Sequence, residues 1–156
     1  MLSVYTDTSV IGGCFDIEFR RFSNVLFEEF KTGMKHLVIS ELVLLELKRA
    51  REEVVLKLNE IPASFKTEYK NTAEAAELAK AYIAGGALGN KCYNDALHIA
   101  IATLSKAEVL ASWNFKHIVN LNRIKLYNSI NLQMGYQTIE IRTPREILIP
   151  VDYEKE

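Results

Sequence analysis

The sequence has few of the residues and segments that mark specialised classes of protein. It contains two cysteines, Cys14 and Cys92, which form no CxxC pair and have no histidine at zinc-motif spacing. We therefore expect two reduced thiols, as in a cytoplasmic protein. The N-terminus lacks the basic and apolar segments of a signal peptide, and no apolar run approaches the roughly 20 residues of a membrane span. The sequence thus predicts a cytoplasmic protein that makes no membrane contact.

An excess of basic charge is also missing. The 19 basic and 20 acidic residues give a formal net charge of -1, so charge alone does not indicate a nucleic-acid partner. Contact with RNA would require a local basic patch, which is compatible with a net charge near zero. The length of 156 residues fits a single domain with a covered sheet. We expect that domain over residues 1–150 and a charged, flexible tail over residues 151–156.

Short apolar segments alternate along the chain with segments of helical spacing. The candidate strands are residues 1–5, 37–39, 109–111 and 137–141. The candidate helices are residues 18–31, 41–59 with a charged break at 48–53, a helix from Thr72 to Gly85, 93–106 and 115–132. The pair Gly12-Gly13 is typical of a turn after the first strand. Strands that alternate with helices predict an α/β fold with a parallel sheet.

Asp7 is the first candidate for chemistry, because it follows the first strand. Ligands of open parallel sheets bind beyond the carboxyl ends of the strands, near the point where strand order reverses. A carboxylate at that position can act on a ligand. The alternative is a turn aspartate that hydrogen-bonds its own backbone.

Glu46 is the second candidate, since its neighbours on a helix are mostly apolar. A glutamate that faces the core needs a partner, because burying an unpaired charge is unfavourable. That partner is either an arginine, Arg49 or Arg51, or a metal ion.

Two more candidates follow strands or begin helices later in the chain. Asp95 lies at the start of a helix, where a carboxylate is stabilised by roughly 0.3–1 kcal/mol through the helix dipole; that position also suits a carboxylate facing a cavity. His98, one turn further on, is interpreted as a hydrogen-bonded interior residue or as a phosphate contact. Asn114 follows the third strand, where it can supply a fourth ligand or cap a turn.

Four segments, taken in order, resemble a PIN domain, and specifically the VapC-type toxins of toxin–antitoxin pairs. They are Asp7-Thr8-Ser9, Ser40 with Glu46 six residues later, the segment from Asn94 to Ala100, and Ser112-Trp113-Asn114. The resemblance extends from about Ser3 to Pro144. It implies a three-layer α/β/α sandwich with a central parallel sheet of four or five strands.

The same resemblance implies an endoribonuclease that requires Mg²⁺ or Mn²⁺ and is bound by an antitoxin protein; proteins of this type commonly form dimers. The implied metal ligands are Asp7, Glu46 and Asp95, and the fourth acidic position falls on Asn114, which departs from the family pattern. Residues expected to position RNA or water are Thr8, Ser9, His98 and Lys116. Magnesium prefers oxygen ligands and retains several waters, as three carboxylates in an open site would allow.

Other functions are compatible with parts of the pattern. Because Asn114 replaces an acid, the chain can also be a degenerate PIN domain that binds RNA or a protein partner without cleavage. Haloacid-dehalogenase-like phosphatases carry a second aspartate two residues after the first, where this chain has Ser9. No GxGxxG or GxxxxGK[ST] motif follows the first strand, which argues against dinucleotide-binding and P-loop folds.

Overall fold

Five parallel strands form one sheet in the computed structural model, which describes residues 1–148. The strands are β1 (Leu2–Thr6), β2 (Lys35–Ser40), β3 (Lys66–Tyr69), β4 (Val109–Ala111) and β5 (Glu140–Arg142). Their spatial order is β3-β2-β1-β4-β5. The predicted flexible tail over residues 151–156 lies outside the described residues.

Eight α-helices connect and cover these strands within residues 1–148. They are α1 (Thr8–Gly13), α2 (Arg20–Lys31), α3 (Glu41–Leu47), α4 (Glu52–Asn59), α5 (Ala73–Ala84), α6 (Tyr93–Leu104), α7 (Leu121–Gln133) and α8 (Pro144–Ile147). Short 3₁₀ turns precede β3 and α6, at Ala63–Phe65 and Asn90–Cys92. In this part of the chain, none of the helices has the length and apolarity needed to cross a bilayer.

Alternating side chains of the central strand face two separate apolar cores. Val4 packs with residues from α1 to α4 on one face of the sheet. Tyr5 packs mainly with residues from α5 to α7 on the other face. This alternation is the ordinary consequence of strand geometry, and it confirms the predicted α/β fold with helices on both faces of a parallel sheet.

Several predicted helix ends are confirmed. The Thr72 side chain accepts a hydrogen bond from the Ala75 backbone N–H at 3.1 Å, which caps α5 at its start. Gly86, just past the end of this helix, has a φ of +78°, and Gly33, just past α2, has a φ of +83°. Glycine adopts these left-handed conformations without the steric penalty that a Cβ would bring.

Other predicted boundaries are wrong, for local reasons. The segment around Gly12-Gly13 is helical and not a turn. Position 13 requires glycine, because a Cβ there would lie 2.7–2.9 Å from atoms of Ser23 and Trp113. The predicted helix over 41–59 is not continuous: it is two helices, which are separated at the predicted charged break. Strand β3 was not predicted, and the predicted segments 115–132 and 137–141 begin later, at Leu121 and Glu140.

The strand order reverses beside β1. From β1 the chain crosses to β2 and then β3 on one side, and it later returns to β4 and β5 on the other. Thr6 at the end of β1 is in register with Ala111 at the end of β4. The next residues, Asp7 and Ser112, therefore meet at the position where open parallel sheets bind ligands.

Candidate active site at the carboxyl ends of the strands

The carboxylate of Asp7 is buried, with 4% of the residue exposed, and both of its oxygens are held by hydroxyl groups. Ser9 Oγ donates to Oδ1 and Ser112 Oγ donates to Oδ2, each at 2.6 Å. The two hydroxyls in turn accept hydrogen bonds from the backbone N–H groups of Trp113 and Asn114, at 3.0 and 2.9 Å. The end of β1 and the loop after β4 are thereby joined through one carboxylate.

The surroundings of Asp7 disfavour its ionised form. Burial raises the pKa of its carboxyl group, the charge of His98 and the hydrogen bonds from Ser112 and Ser9 lower it, and the negative charge of Asp95 raises it again. The net effect is a pKa above the ordinary value. An added cation would favour the ionised form, so the environment is one in which binding a metal ion relieves an unfavourable charge.

A chain of hydrogen bonds connects Glu46 to the interior of the sheet. His98 Nε2 lies 2.6 Å from Glu46 Oε1, and His98 Nδ1 lies 2.8 Å from the Tyr5 hydroxyl. That hydroxyl lies 2.8 Å from Ser40 Oγ, which also accepts from the Val43 backbone N–H and caps α3. His98 is therefore a hydrogen-bonded interior residue, and both of its ring nitrogens are engaged.

The partner of Glu46 is this histidine and not an arginine. Arg51 instead lies 2.9 Å from Glu53, and Arg49 is exposed. Burial alone would raise the pKa of the Glu46 carboxyl group, but the hydrogen bond and charge of His98, together with nearby Thr8, outweigh burial and lower it. Glu46 therefore carries a full negative charge at neutral pH, and it is one-third exposed rather than buried in the core.

Thr8 contributes a buried hydroxyl beside the Glu46 carboxylate. Its Oγ1 lies near enough to Glu46 to lower the pKa of that residue. Yet this oxygen is buried and has no partner in hydrogen-bond geometry among residues 1–148. A buried polar atom without a well-formed hydrogen bond is uncommon in native proteins, and one beside an acidic group suits a water or substrate oxygen.

Asp95 lies in the first turn of α6 and is partly buried. Its charge acts on Asp7, but its nearest potential co-ligands are different residues. The ligand atoms of Cys92, Asp95 and His117 all lie within 4.8 Å of one another. Within residues 1–148, no other three potential metal ligands have ligand atoms this close together. The ligand atoms of the predicted set, Asp7, Glu46 and Asp95, therefore lie further apart.

The cysteine–histidine part of this group was missed by sequence reasoning. Cys92 and His117 are separated by 25 positions, so no motif spacing connects them, and only the packing of the loop after β4 against the start of α6 brings them together. The signal available in the sequence was weaker: Cys92 and Asp95 lie three residues apart at a helix start.

The remaining predicted residues lie on the loop after β4. Asn114 Oδ1 accepts a hydrogen bond from the His117 backbone N–H at 2.9 Å, which is the turn-capping role that the sequence left open. Its amide is partly buried, and Lys116 is exposed.

Next to Glu46, an open groove of about 600 Å³ is lined by Leu42, Leu45, Glu46, Lys48, Arg49 and Asn94. Lys48 and Arg49 supply this groove with positive charge.

The donor chemistry of the predicted ligands suits Mg²⁺ or Mn²⁺, although their ligand atoms do not form a converging group of three within residues 1–148. All the predicted ligands are carboxylates, which are the oxygen donors that these hard cations prefer. Magnesium usually binds directly through one or two carboxylates and keeps several waters, so the remaining carboxylate would act through a metal-bound water. The unpartnered Thr8 hydroxyl adds a hydrogen-bonding position for such a water.

The comparisons with known proteins define the class of fold. No protein-family model matches the chain, and no curated protein matches it. Its structure is similar to a chain in the crystal structure of VapBC2 from Rickettsia felis bound to a DNA fragment from the VapBC2 promoter, with a TM-score of 0.55 and 17% identity. The similarity covers 91% of this chain and 98% of that chain. At this identity the likeness shows the fold, which is PIN-like with a central all-parallel sheet of five strands.

Proposed function

We propose that the chain is a Mg²⁺- or Mn²⁺-dependent endoribonuclease and the toxin of a toxin–antitoxin pair. The observation that carries the proposal is Asp7: a buried carboxylate at the switch point of a PIN-like sheet, next to a second acid and with a raised pKa. Structural aspartates that are buried are normally paired with a cation. Within residues 1–148, Asp7 makes no ion pair with a lysine or arginine. Apart from the charge of His98 and the two hydroxyl hydrogen bonds, a bound metal ion would be its partner.

Asp7, Asp95 and Glu46 would hold the metal, which polarises a phosphodiester bond and lowers the pKa of an attacking water when bound. The residues around them fix their orientation: Ser9 and Ser112 hold Asp7, and His98 holds Glu46. These supporting hydrogen bonds restrict the side chains of Asp7 and Glu46.

Substrate contacts are proposed for groups that are free to make them. The Thr8 hydroxyl can position a water molecule, and the side chains of Lys48 and Arg49 can bind RNA phosphates along the groove beside Glu46. Lys116, exposed on the loop after β4, can extend this contact. The local positive charge of the groove is compatible with the near-neutral chain.

The test is cleavage of single-stranded RNA by the purified chain. Thorough chelation should abolish cleavage, and added Mn²⁺ or Mg²⁺ should restore it. Asp7→Asn and Asp95→Asn should each remove most of the rate, whereas Glu77→Gln, which changes an exposed acid on α5, should not. Cleavage that survives chelation, or an Asp95→Asn variant with the wild-type rate, would overturn the assignment.

A degenerate PIN domain that only binds RNA or protein is the second candidate. Asn114 favours it, because its amide oxygen caps a turn and brings no charge to the fourth acidic position. Under this alternative, RNA would bind in a gel-shift assay without being cut under any divalent metal, and Asp7→Asn would leave binding intact.

We also propose a cognate antitoxin as partner, the cytoplasm as the site of action, and a homodimer as the assembly. The support for an antitoxin is the similarity to a chain of VapBC2. Induced expression in a bacterial host should arrest growth, and Asp7→Asn should relieve the arrest. Growth arrest that persists in the folded Asp7→Asn variant would separate toxicity from the proposed site.

A further inference from the structure

A set of ligands for a different class of metal lies beside the proposed active site. Cys92 ends the 3₁₀ turn before α6, Asp95 lies in the first turn of that helix, and His117 lies on the loop after β4. Their ligand atoms lie within 4.8 Å of one another, although the three side chains come from two separate parts of the chain. We propose that these three residues form a binding site for a thiophilic divalent cation of the Zn²⁺ class.

The distance between the sulfur and the imidazole already suits a tetrahedral ion. Cys92 Sγ lies 3.5 Å from His117 Nε2. An ion bonded to sulfur at about 2.3 Å and to nitrogen at about 2.0 Å, with a tetrahedral angle between them, places those two atoms about 3.5 Å apart. The Asp95 oxygen lies within 4.8 Å of the other two ligand atoms, so it would need to approach by at most about 1.5 Å to complete three ligands, a movement available to a side-chain rotation.

The proposed site is accessible to solvent, as a site that exchanges its metal ion must be. All three residues are partly exposed, Cys92 is a free thiol, and a fourth position is left for water. His117 Nδ1 is buried and has no hydrogen-bond partner among residues 1–148. Permanent zinc sites usually fix the second nitrogen of a ligating histidine with a hydrogen bond. Its lack here, together with three protein ligands instead of four, indicates reversible binding rather than a structural ion.

The two proposed sites select different ions and share one residue. Thiolate and imidazole favour zinc-class metals, whereas Mg²⁺ takes oxygen ligands, so Cys92 and His117 discriminate between the two. Asp95 belongs to both sets. An ion held by Cys92 and His117 would engage Asp95 and withdraw it from the proposed magnesium ligands, Asp7 and Glu46. If the proposed nuclease function holds, zinc-class metals therefore inhibit cleavage; the binding site itself does not depend on that function.

Binding is tested first, without reference to activity. The full-length chain, reduced and metal-free, is titrated with Co²⁺, and the absorption of cobalt–thiolate charge transfer is followed before displacement by Zn²⁺. One equivalent should bind to the wild type and to Cys14→Ala, which removes the other, distant thiol. Cys92→Ser and His117→Gln should weaken binding by at least about 100-fold, because loss of even a hydrogen-bond partner of a ligand costs roughly 10–100-fold.

The outcomes separate cleanly. No thiolate band in the folded wild type, or a band that persists in Cys92→Ser and disappears in Cys14→Ala, would overturn the site. In the nuclease assay at fixed Mg²⁺, the ratio of rates with and without Zn²⁺ should fall for the wild type and stay near one for Cys92→Ser. Zinc binding without any change in that ratio would refute the competition for Asp95. If no RNA is cut under any metal, the proposed nuclease function fails, while the cobalt titration still decides the site.

Discussion

Replacing Asp7 by asparagine should stabilise the metal-free protein while abolishing its proposed activity. The side chain is 4% exposed, and its raised pKa means that burial outweighs the two hydroxyl hydrogen bonds and the charge of His98. Asparagine has nearly the same shape and carries no charge to desolvate. Substitutions that relieve strain at functional sites typically add about 0.5–2 kcal/mol. Weaker hydrogen bonds to Ser9 and Ser112 offset part of this gain, by about 1 kcal/mol or less.

The pH dependence carries a definite sign. A carboxyl group whose pKa is raised in the folded state contributes its full stability at pH values below its unfolded-state pKa of about 3.9. That stability is lost as the pH rises through the folded-state pKa. Wild type and Asp7→Asn should therefore be similar in acid, and the advantage of the variant should grow toward neutral pH. For a chain of this length, 1 kcal/mol corresponds to roughly 2–4 °C in melting temperature.

Glu46→Gln is the matched comparison, because the pKa of Glu46 is shifted in the opposite direction. Its ionised form is favoured by His98, so this stability is present above the unfolded-state pKa and lost as pH falls through the lowered one. The glutamine variant should therefore melt at a lower temperature than wild type at neutral pH. We expect its free energy of unfolding to fall by about 1 kcal/mol or less, because Glu46 is one-third exposed and solvent screens its pair with His98.

The assay is thermal melting of wild type and both variants in chelator, between acid and neutral pH. We expect Asp7→Asn above wild type and Glu46→Gln below it at pH 7. An Asp7→Asn variant that melts clearly lower than wild type at neutral pH would show that the carboxylate is structural, and the proposed metal site would lose its main support.

Three further predictions concern the neighbouring residues. In calorimetry without RNA, Asn114→Asp should bind Mg²⁺ more tightly or show an added binding event, because a fourth carboxylate would balance the charge of a second ion. Unchanged binding in a folded variant would mean that the side chain at position 114 faces away from the metal. His98→Gln should reduce cleavage by roughly 10–100-fold, as loss of a ligand's hydrogen-bond partner does. It should also move the acid limb of the pH–rate profile upward, because Glu46 loses the group that lowers its pKa; an unmoved limb would exclude the pairing. Ser112→Ala should lower the free energy of unfolding in denaturant by about 1–3 kcal/mol, since it removes a hydroxyl bonded to the Asp7 carboxylate, and no loss would contradict that hydrogen bond.

The sequence predicted the fold better than it predicted contacts. Apolar spacing located most helices and four of the five strands, although the last strand begins later than predicted, because those signals are local. Strand β3 was missed because its four residues are polar and it pairs on one side only, with β2. Helix α1 was missed because Gly12-Gly13 is typical of a turn, whereas the close packing of Gly13 on Trp113 comes from distant parts of the chain.

The candidate site shows the same division between local and distant information. The position of Asp7 after β1 followed from the local pattern of an apolar strand that ends in a polar segment. The partner of Glu46 did not, because His98 lies 52 residues away and the nearby arginines were the simpler choice. Likewise, Cys92 and His117 converge only when β4 has joined the sheet. Which donors meet depends on tertiary packing, which the spacing of residues in a single sequence does not encode.

The two outer strands limit how this protein can associate with others. Strand β3 has four residues and includes Lys66 and Glu68; β5 has three and includes Glu140 and Arg142, whose side chains pair with each other. Short, charged edges resist pairing with a strand from another molecule, which is how soluble proteins avoid edge-to-edge aggregation. Within residues 1–148 no strand lies beyond either edge. A second copy or a protein partner is therefore expected to dock on the helical layers, and lengthening the sheet by strand addition is disfavoured.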